Sequence, residues 1–156
     1  MATSDDGAQK IIQLFDARLN QYRNIVNEFS DDKLWQRPQP GMVSLGNLVC
    51  HIAGAMRDWF ENGIGQGQWT RDRQFEFDRD GGMICQELLD HFNRERIHCD
   101  HFLRTISTEN WHEERRFRND TFTIYDMLLR QLEHVNYHAG QAAFLRRIVA
   151  ELGPVS

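Results

Sequence analysis

The chain has 156 residues, a length typical of one domain, and its 18 Lys and Arg against 23 Asp and Glu give a formal net charge of −5. This charge argues against a general nucleic-acid-binding protein, which must neutralise phosphates. Hydrophobic residues make up 40% of the chain, enough for a core and too many for a disordered protein. No stretch approaches the roughly 20 apolar residues of a membrane span, so we expect no membrane partner.

The amino terminus and the cysteines bear on the cellular compartment. Residues 1–7 are polar and acidic, unlike a secretory signal or an Arg-rich transit peptide. Cys50, Cys85 and Cys99 form no Cys-x-x-Cys motif, and three cysteines cannot all pair within one chain. We therefore expect a reducing, cytoplasmic compartment.

Apolar residues recur with helical spacing in four segments, so we predict four long helices. The first spans about residues 8–29 and is followed by a Pro-containing loop at residues 37–41. The second spans about residues 44–63, because Ser44 is a favourable N-cap and Gly63 a plausible end.

A long connection, residues 64–82, follows the second helix. Connections of this length are uncommon in compact domains and are often functional or cross over the fold. The third helix is predicted at about residues 83–107, and a highly charged loop follows at residues 113–120. The fourth, about residues 123–152, opens with a Thr that is followed three residues later by an Asp, which is typical of a capping box.

Four amphipathic helices without a strand pattern predict an all-α fold, a four-helix bundle formed as one domain by residues 1–156. An extended chain gains about 3.3 Å per residue, so the 64–82 connection can recross a helix of about 30 Å. The second and third helices can therefore run parallel, which gives an up-down-down-up topology.

Three of the seven histidines are placed to share one metal ion. His134 and His138 are one turn apart on the apolar row of the fourth helix, so both are expected to point into the core. His51 lies on the apolar row of the second helix and adds a third imidazole if these helices face each other. Three imidazoles and a water form a known catalytic zinc site. Composition and spacing alone support hydrogen-bonded core histidines about equally well.

Other histidine patterns carry less information. The fourth-helix pair lacks the protease motif His-Glu-x-x-His, because Val135 stands where that motif has its general base. His91, His98 and His101 on the third helix could form a second site, but they lie beside its apolar row. We interpret them as surface or flanking residues.

No catalytic residue is identified by the sequence, although two polar residues on apolar rows are candidates. Glu95 could ligate the ion, support a ligand or act as a general base, but a salt bridge to an arginine of a neighbouring helix is the favoured interpretation. Gln131, one turn before the histidine pair, could hydrogen-bond a bound water. Neither Cys50, rotated about 100° from its histidine neighbour, nor Cys99 is predicted to be a ligand or a reactive thiolate.

Two charged segments contain arginines that could recognise an anionic cosubstrate. These are Arg71, Arg73 and Arg79 in the connection and Arg115, Arg116 and Arg118 in the second loop. Acidic residues alternate with them, so solvated loops of mixed charge are the favoured interpretation.

Several segments together carry a family resemblance. They are Trp35, Pro38, SLGNLVCHIAG at 44–54, Trp59, RDRQFEF at 71–77, TIYDMLL at 123–129 and HVNYHAGQ at 134–141. They resemble corresponding segments of the DinB / YfiT-like superfamily, and the resemblance extends from Trp35 to about Ile148. The combination of one histidine with His-x-x-x-His-x-Gly-Gln is far more specific than the histidine pair alone.

The resemblance implies an up-down-down-up bundle in which His51, His134 and His138 hold a divalent ion, either zinc or nickel. Members of known activity include thiol S-transferases that use low-molecular-weight thiols such as bacillithiol or mycothiol, others resemble metal-dependent hydrolases, and many form homodimers. We therefore expect a metal-dependent transferase or hydrolase with a small-molecule substrate, and zinc before nickel. The alternative is a non-catalytic metal-binding or stress-related dimeric bundle.

Overall fold

The computed structural model describes residues 6–153 and contains four long helices in that range. Their bounds, with those of the shorter elements between them, are α1 Asp6–Asn27, α2 Asp31–Leu34, α3 Leu45–Arg57, a π-helical turn Asp58–Ile64, α4 Arg73–Asp78, α5 Cys85–Thr105, a 3-10 turn Thr108–Asn110, β1 Glu114–Phe117, β2 Asp120–Thr123 and α6 Ile124–Glu151. The all-α prediction is confirmed. Residues 1–5, most of the polar amino-terminal segment, and Pro154, which follows the predicted fourth helix, lie outside the described residues.

Helices α1 and α6 run parallel along their whole length. The Tyr22 hydroxyl donates to the Val135 carbonyl oxygen at 2.7 Å, and Arg146 pairs with Glu28 at 2.9 Å. The partners therefore advance in the same direction along both helices, from the middle of α6 to its last turns and from α1 to the residue just beyond its end. None of the helices in the described part of the chain is long and apolar enough to cross a membrane.

Helices α3 and α5 start at the opposite end of the bundle and run parallel to each other. Cys85, at the start of α5, donates its backbone N–H to Asp31, just beyond the end of α1, at 2.7 Å. Trp35 packs on Gly46 in α3 and donates to the Met83 carbonyl oxygen at 2.7 Å. Helices α1 and α6 thus run in one direction and α3 and α5 in the other, and α3 packs on both α5 and α6. The up-down-down-up topology is therefore confirmed.

Both predicted N-caps are present. The Ser44 hydroxyl accepts the Asn47 N–H at 3.1 Å, and Asn47 Oδ1 accepts the Ser44 N–H at 3.1 Å. Thr123 and Asp126 form the same reciprocal pair at the start of α6. These caps satisfy backbone donors that have no partner within a helix, which fixes where α3 and α6 begin.

The crossover between α3 and α5 lies against α3 and buries its outer face. Every residue from Leu45 to Met56 is buried as a result. Asn47 holds the crossover, because its Nδ2 donates to the carbonyl oxygens of Glu76 at 3.0 Å, Phe77 at 3.3 Å and Arg79 at 2.7 Å. One buried amide therefore fixes the position of α4 relative to α3.

The prediction of a loop at residues 113–120 is wrong, because this segment forms most of a β-hairpin in which β1 and β2 pair antiparallel. Its alternating charges obscured two inward aromatic residues. The Phe117 and Phe122 ring centroids lie 4.9 and 5.5 Å from that of Trp59. Arg118, with φ of 58°, makes the tight turn.

The second predicted helix, residues 44–63, is α-helical only as far as Arg57. It continues as a π-helical turn, and the Gly65 N–H bonds to the Phe60 carbonyl oxygen at 2.8 Å. A Cβ at Gly65 would lie 2.6 Å from the Phe102 ring, so the wider turn packs closely on α5 only because this residue is glycine.

Replacing Asn47 with alanine should lower the free energy of unfolding by about 2 kcal/mol, because it removes the cap and the amide donor to three crossover carbonyl oxygens, of which Arg37 still serves those of Phe77 and Arg79. Urea denaturation measures the loss. The exposed Asn136→Ala variant on α6 should stay within about 0.5 kcal/mol of wild type. Equal stabilities of the two variants would contradict this account of the crossover.

Candidate metal centre

The structure brings together the three histidines that the sequence singled out. His134 Nε2 lies 3.2 Å from His51 Nε2 and 3.1 Å from His138 Nε2. The three ligand nitrogens all lie within 4.8 Å of one another. Nitrogens bound tetrahedrally to zinc at about 2.0–2.1 Å are about 3.3 Å apart, so the observed spacing fits a shared ion.

Two helices position these rings. His134 and His138, one turn apart on α6, have ring centroids 4.6 Å apart, and His51 on α3 lies 5.0 Å from His138. His51 is buried, whereas the α6 pair is half-buried and faces a cleft. The expectation that the pair points into the core is therefore corrected, because the cleft opens where α6 passes the crossover and the hairpin.

Hydrogen bonds set which nitrogen of two of the rings carries a proton. His51 Nδ1 lies 3.1 Å from both Glu76 Oε2 and Arg71 Nη2. Arg71 Nη2 donates to the same carboxylate at 2.7 Å, and a carboxylate can only accept, so His51 Nδ1 also donates to Glu76. His138 Nδ1 donates to Gln141 Oε1 at 2.5 Å. Both Nε2 atoms are then unprotonated and point at the third ring. A proton on His134 Nε2 can satisfy only one of these two lone pairs, whereas a cation can accept all three nitrogens, so the donor set fits a divalent ion.

Two polar atoms at the triad have no hydrogen-bond partner among the residues that the structure describes. They are Nδ1 of His134 and Oε1 of Gln131, both buried. Gln131 is only 2% exposed, lines the cleft and stands one turn before His134. Buried polar atoms normally find partners, so the orphaned pair is a second observation that suits a site completed by a polar ligand.

Glu76, which the sequence analysis missed, is the buried carboxylate of the site. Besides His51 it binds Arg71 through two contacts of 2.7 Å. Burial raises its pKa, but the hydrogen bonds of His51 and Arg71 outweigh burial and hold the pKa below its usual range. Gly54 makes room, because a Cβ there would collide with the carboxylate. Its only sequence signal is its place in the RDRQFEF segment.

The environment keeps the α6 histidines neutral. Burial, followed by the charges of His138 and His51, lowers the pKa of His134 to about 4. Burial also lowers the pKa of His138, although the hydrogen bond that His138 donates to Gln141 raises it in part. Because imidazole binds metals only when neutral, both rings are ready to act as ligands at pH 7.

The cleft in front of the histidines has a volume of about 560 Å³ and is strongly basic. Four arginines line it, together with the apolar surfaces of Trp59, Phe77 and Ala55: Arg71, Arg73, Arg118 and Arg130. Arg71, whose side chain is buried against Glu76, departs from the preferred interpretation of solvated mixed-charge loops, whereas Arg73 and Arg118 are exposed and line the cleft as well. Arg130 was not considered in the sequence analysis.

The other candidates lie elsewhere. Glu95 pairs with Arg57 at 3.3 Å and borders a separate cavity with Cys50, so the structure shows the salt bridge and does not bring Glu95 to the triad. Burial raises the pKa of both Cys50 and Cys99 thiols, as expected for inert cysteines. Within residues 6–153, His91, His98 and His101 join no second cluster suited to a metal.

Comparison with known proteins gives the family. A model of the DinB superfamily matches residues 14–142. The chain belongs to the DinB superfamily. No curated protein matches it significantly.

Solved structures share the fold of this DinB-superfamily chain. A DinB-like protein from Bacillus cereus is 17% identical, with a TM-score of 0.75 over 95% of this chain and 96% of its own. A conserved protein from Enterococcus faecalis is 16% identical, with a TM-score of 0.75 over 92% and 97%. A histidine-to-alanine mutant of the mycothiol-dependent maleylpyruvate isomerase is 16% identical, with a TM-score of 0.66 over 100% of this chain and 65% of its own.

In protein dialysed against a chelator, the free energy of unfolding should fall as the pH drops from about 6.5 to about 4. The pKa of His134 is lowered to about 4 from 6.5, so in this range the unfolded chain binds a proton that the folded chain does not. Above this range His134 is unprotonated in both the folded and the unfolded chain, so it no longer makes the free energy of unfolding depend on pH. Denaturation at stepped pH measures it.

The control for this pH dependence is a matched pair of variants. His134→Gln should flatten the slope, whereas the exposed His112→Gln variant should keep the wild-type slope. Identical slopes for the two variants would show that His134 does not cause the effect.

Proposed function

We propose that this chain is a metal-dependent enzyme in which His51, His134 and His138 hold one divalent ion, with zinc favoured over nickel, and that it acts on a small-molecule thiol. The convergence of three imidazole nitrogens at a cleft carries the proposal. When bound, such an ion lowers the pKa of a thiol or water towards neutrality and so supplies a nucleophile at pH 7.

The protein's own groups orient and shield this site. Glu76 fixes the tautomer of His51, and Gln141 does the same for His138. Trp59 and Phe77 give the cleft apolar walls that exclude water from a bound substrate. Gln131 offers a buried amide oxygen that can accept a hydrogen bond from an incoming O–H, N–H or S–H group.

The cleft favours a thiol over water as the nucleophile. An amide such as Gln131 cannot take up a proton, and Glu95 lies outside the cleft, so Glu133 on the cleft wall is the carboxylate that remains to act as a general base on water. A thiol, whose ordinary pKa is about 8.5, needs far less assistance than water at about 15.7. The mycothiol-dependent isomerase of similar fold supports the same choice. We propose transfer of the thiol sulfur to an electrophile, with small-molecule hydrolysis as the second candidate.

Elemental analysis of untagged, purified protein tests the metal site. We expect about one zinc or nickel ion per chain, bound through three imidazoles. His138→Ala should lose most of it, because two ligands bind far more weakly than three. His91→Ala, which changes a histidine outside the triad, should retain the ion. A metal-free wild-type protein, or full retention in His138→Ala, would refute the proposal.

Activity separates an enzyme from a non-catalytic metal-binding bundle. A screen of low-molecular-weight thiols with a chromogenic electrophile should show turnover by the zinc-loaded protein. If the site is catalytic, His138→Ala abolishes turnover with little change in melting temperature. If the ion is structural, the same variant melts several degrees lower, because binding to the folded state has been lost.

Glu76→Gln should weaken zinc binding by about 10- to 100-fold, because the neutral amide no longer raises the basicity of His51. Competition with a chromogenic chelator measures the affinity. Glu133→Gln, which changes a carboxylate on the cleft wall, is the matched control and should bind zinc as wild type does. Equal affinities in both variants would contradict the supporting role of Glu76.

The homodimer implied by the resemblance and the cytoplasmic location expected from the cysteines and the amino-terminal residues stay predictions. Light scattering of the purified protein determines the first, and cell fractionation determines the second.

A further inference from the structure

We propose that the molecule bound in the cleft carries an anionic group, such as a carboxylate, which Arg73 on α4 and Arg130 on α6 recognise while its reactive end lies at the histidines. The reactive end rests on the proposed function, whereas the anionic end rests on the arginines alone. This specificity depends on which of the arginines around the cleft are already paired with a carboxylate.

Two of the four arginines are already neutralised. Arg71 binds Glu76 through two contacts of 2.7 Å and approaches Asp58 at 4.0 Å. Arg118 binds the same Asp58 carboxylate at 2.7 Å. Two carboxylates therefore neutralise two guanidinium groups, and this part of the cleft has no excess positive charge that could attract a ligand.

The charges of the other two arginines are not neutralised by a carboxylate. Among residues 6–153, neither Arg73 nor Arg130 forms an ion pair within 4.0 Å. Each lies over an aromatic ring instead, Arg73 at 5.0 Å from the Phe77 centroid and Arg130 at 5.0 Å from that of Phe122. Stacking steadies the plane of a guanidinium group and leaves its N–H edge able to bind a carboxylate.

The nearest acidic residues in the sequence are engaged elsewhere. Asp72, next to Arg73, caps α4 by accepting the N–H of Phe75 at 3.0 Å. Asp126, one turn before Arg130, accepts the N–H and hydroxyl of Thr123 in the α6 cap, and these hydrogen bonds lower its pKa more than the charge of Arg130 does. Glu133 lines the cleft but pairs with neither arginine. The cleft thus stays positive on a chain whose net charge is −5, and a divalent ion would increase this excess.

A matched pair of thiols tests the inference, since 3-mercaptopropionate and 3-mercaptopropionamide have the same size and differ in one charge. Their binding to cobalt-loaded protein is followed by the thiolate-to-cobalt absorption band. The anion should bind at least about fivefold more tightly at low ionic strength, and less so at high salt.

Because the ion also attracts the anion, the arginine variants decide. Arg73→Gln and Arg130→Gln should each reduce the preference for the anion severalfold and leave the affinity for the amide unchanged. Arg94→Gln, on the exposed face of α5, should retain the wild-type preference. A preference that survives in both cleft variants, or an equal loss of affinity for both thiols, would overturn the inference.

Titration of chelator-treated protein with the same pair, followed by tryptophan fluorescence, separates this inference from the proposed function. Selectivity for the anion without the ion, again lost in the two cleft variants, supports recognition by the arginines even if no cobalt band forms. A cobalt band of equal affinity for both thiols would uphold the proposed function and refute the arginine subsite.

Discussion

A single buried carboxylate links the parts of this protein that matter for its site. Glu76 comes from the crossover, yet it is hydrogen-bonded to a histidine of α3 and to a guanidinium group of the crossover itself. Taking a carboxylate out of water is costly unless each oxygen finds donors. Here His51 and Arg71 supply them, and the tautomer that Glu76 imposes leaves the metal-facing nitrogen of His51 unprotonated. Glu76 is also the one buried residue of α4, so this contact joins an otherwise largely exposed helix to the site.

The long helices could be predicted from the sequence because the patterns that mark them, apolar periodicity and capping residues, are local. Apolar periodicity located four segments, and the Ser44 and Thr123 caps marked two starts to within a residue. The histidine pair followed from helical geometry, since residues four apart must share a face. Adding His51 required knowing that α3 faces α6, which the family resemblance implied and periodicity alone could not give.

The remaining features depend on contacts between distant parts of the chain. The six residues of α4 are too few to show a period, and Asn47 places them from another helix. The hairpin reads as a loop because its two phenylalanines are outnumbered by charges, and only their packing on Trp59 explains the strands. The difference between ion-paired and available arginines likewise depends on where Asp58 and Glu76 lie in space.

The parallel course of α3 and α5 has a kinetic consequence. His51 and His134 are 83 residues apart in the chain, and their rings meet only after the crossover has carried the chain back along the bundle. Closing so large a loop costs chain entropy before any contact repays it, so the imidazole cluster should assemble in a late step of folding. A probe that senses the paired rings would therefore report completion of the native topology, whereas helical circular dichroism would rise earlier.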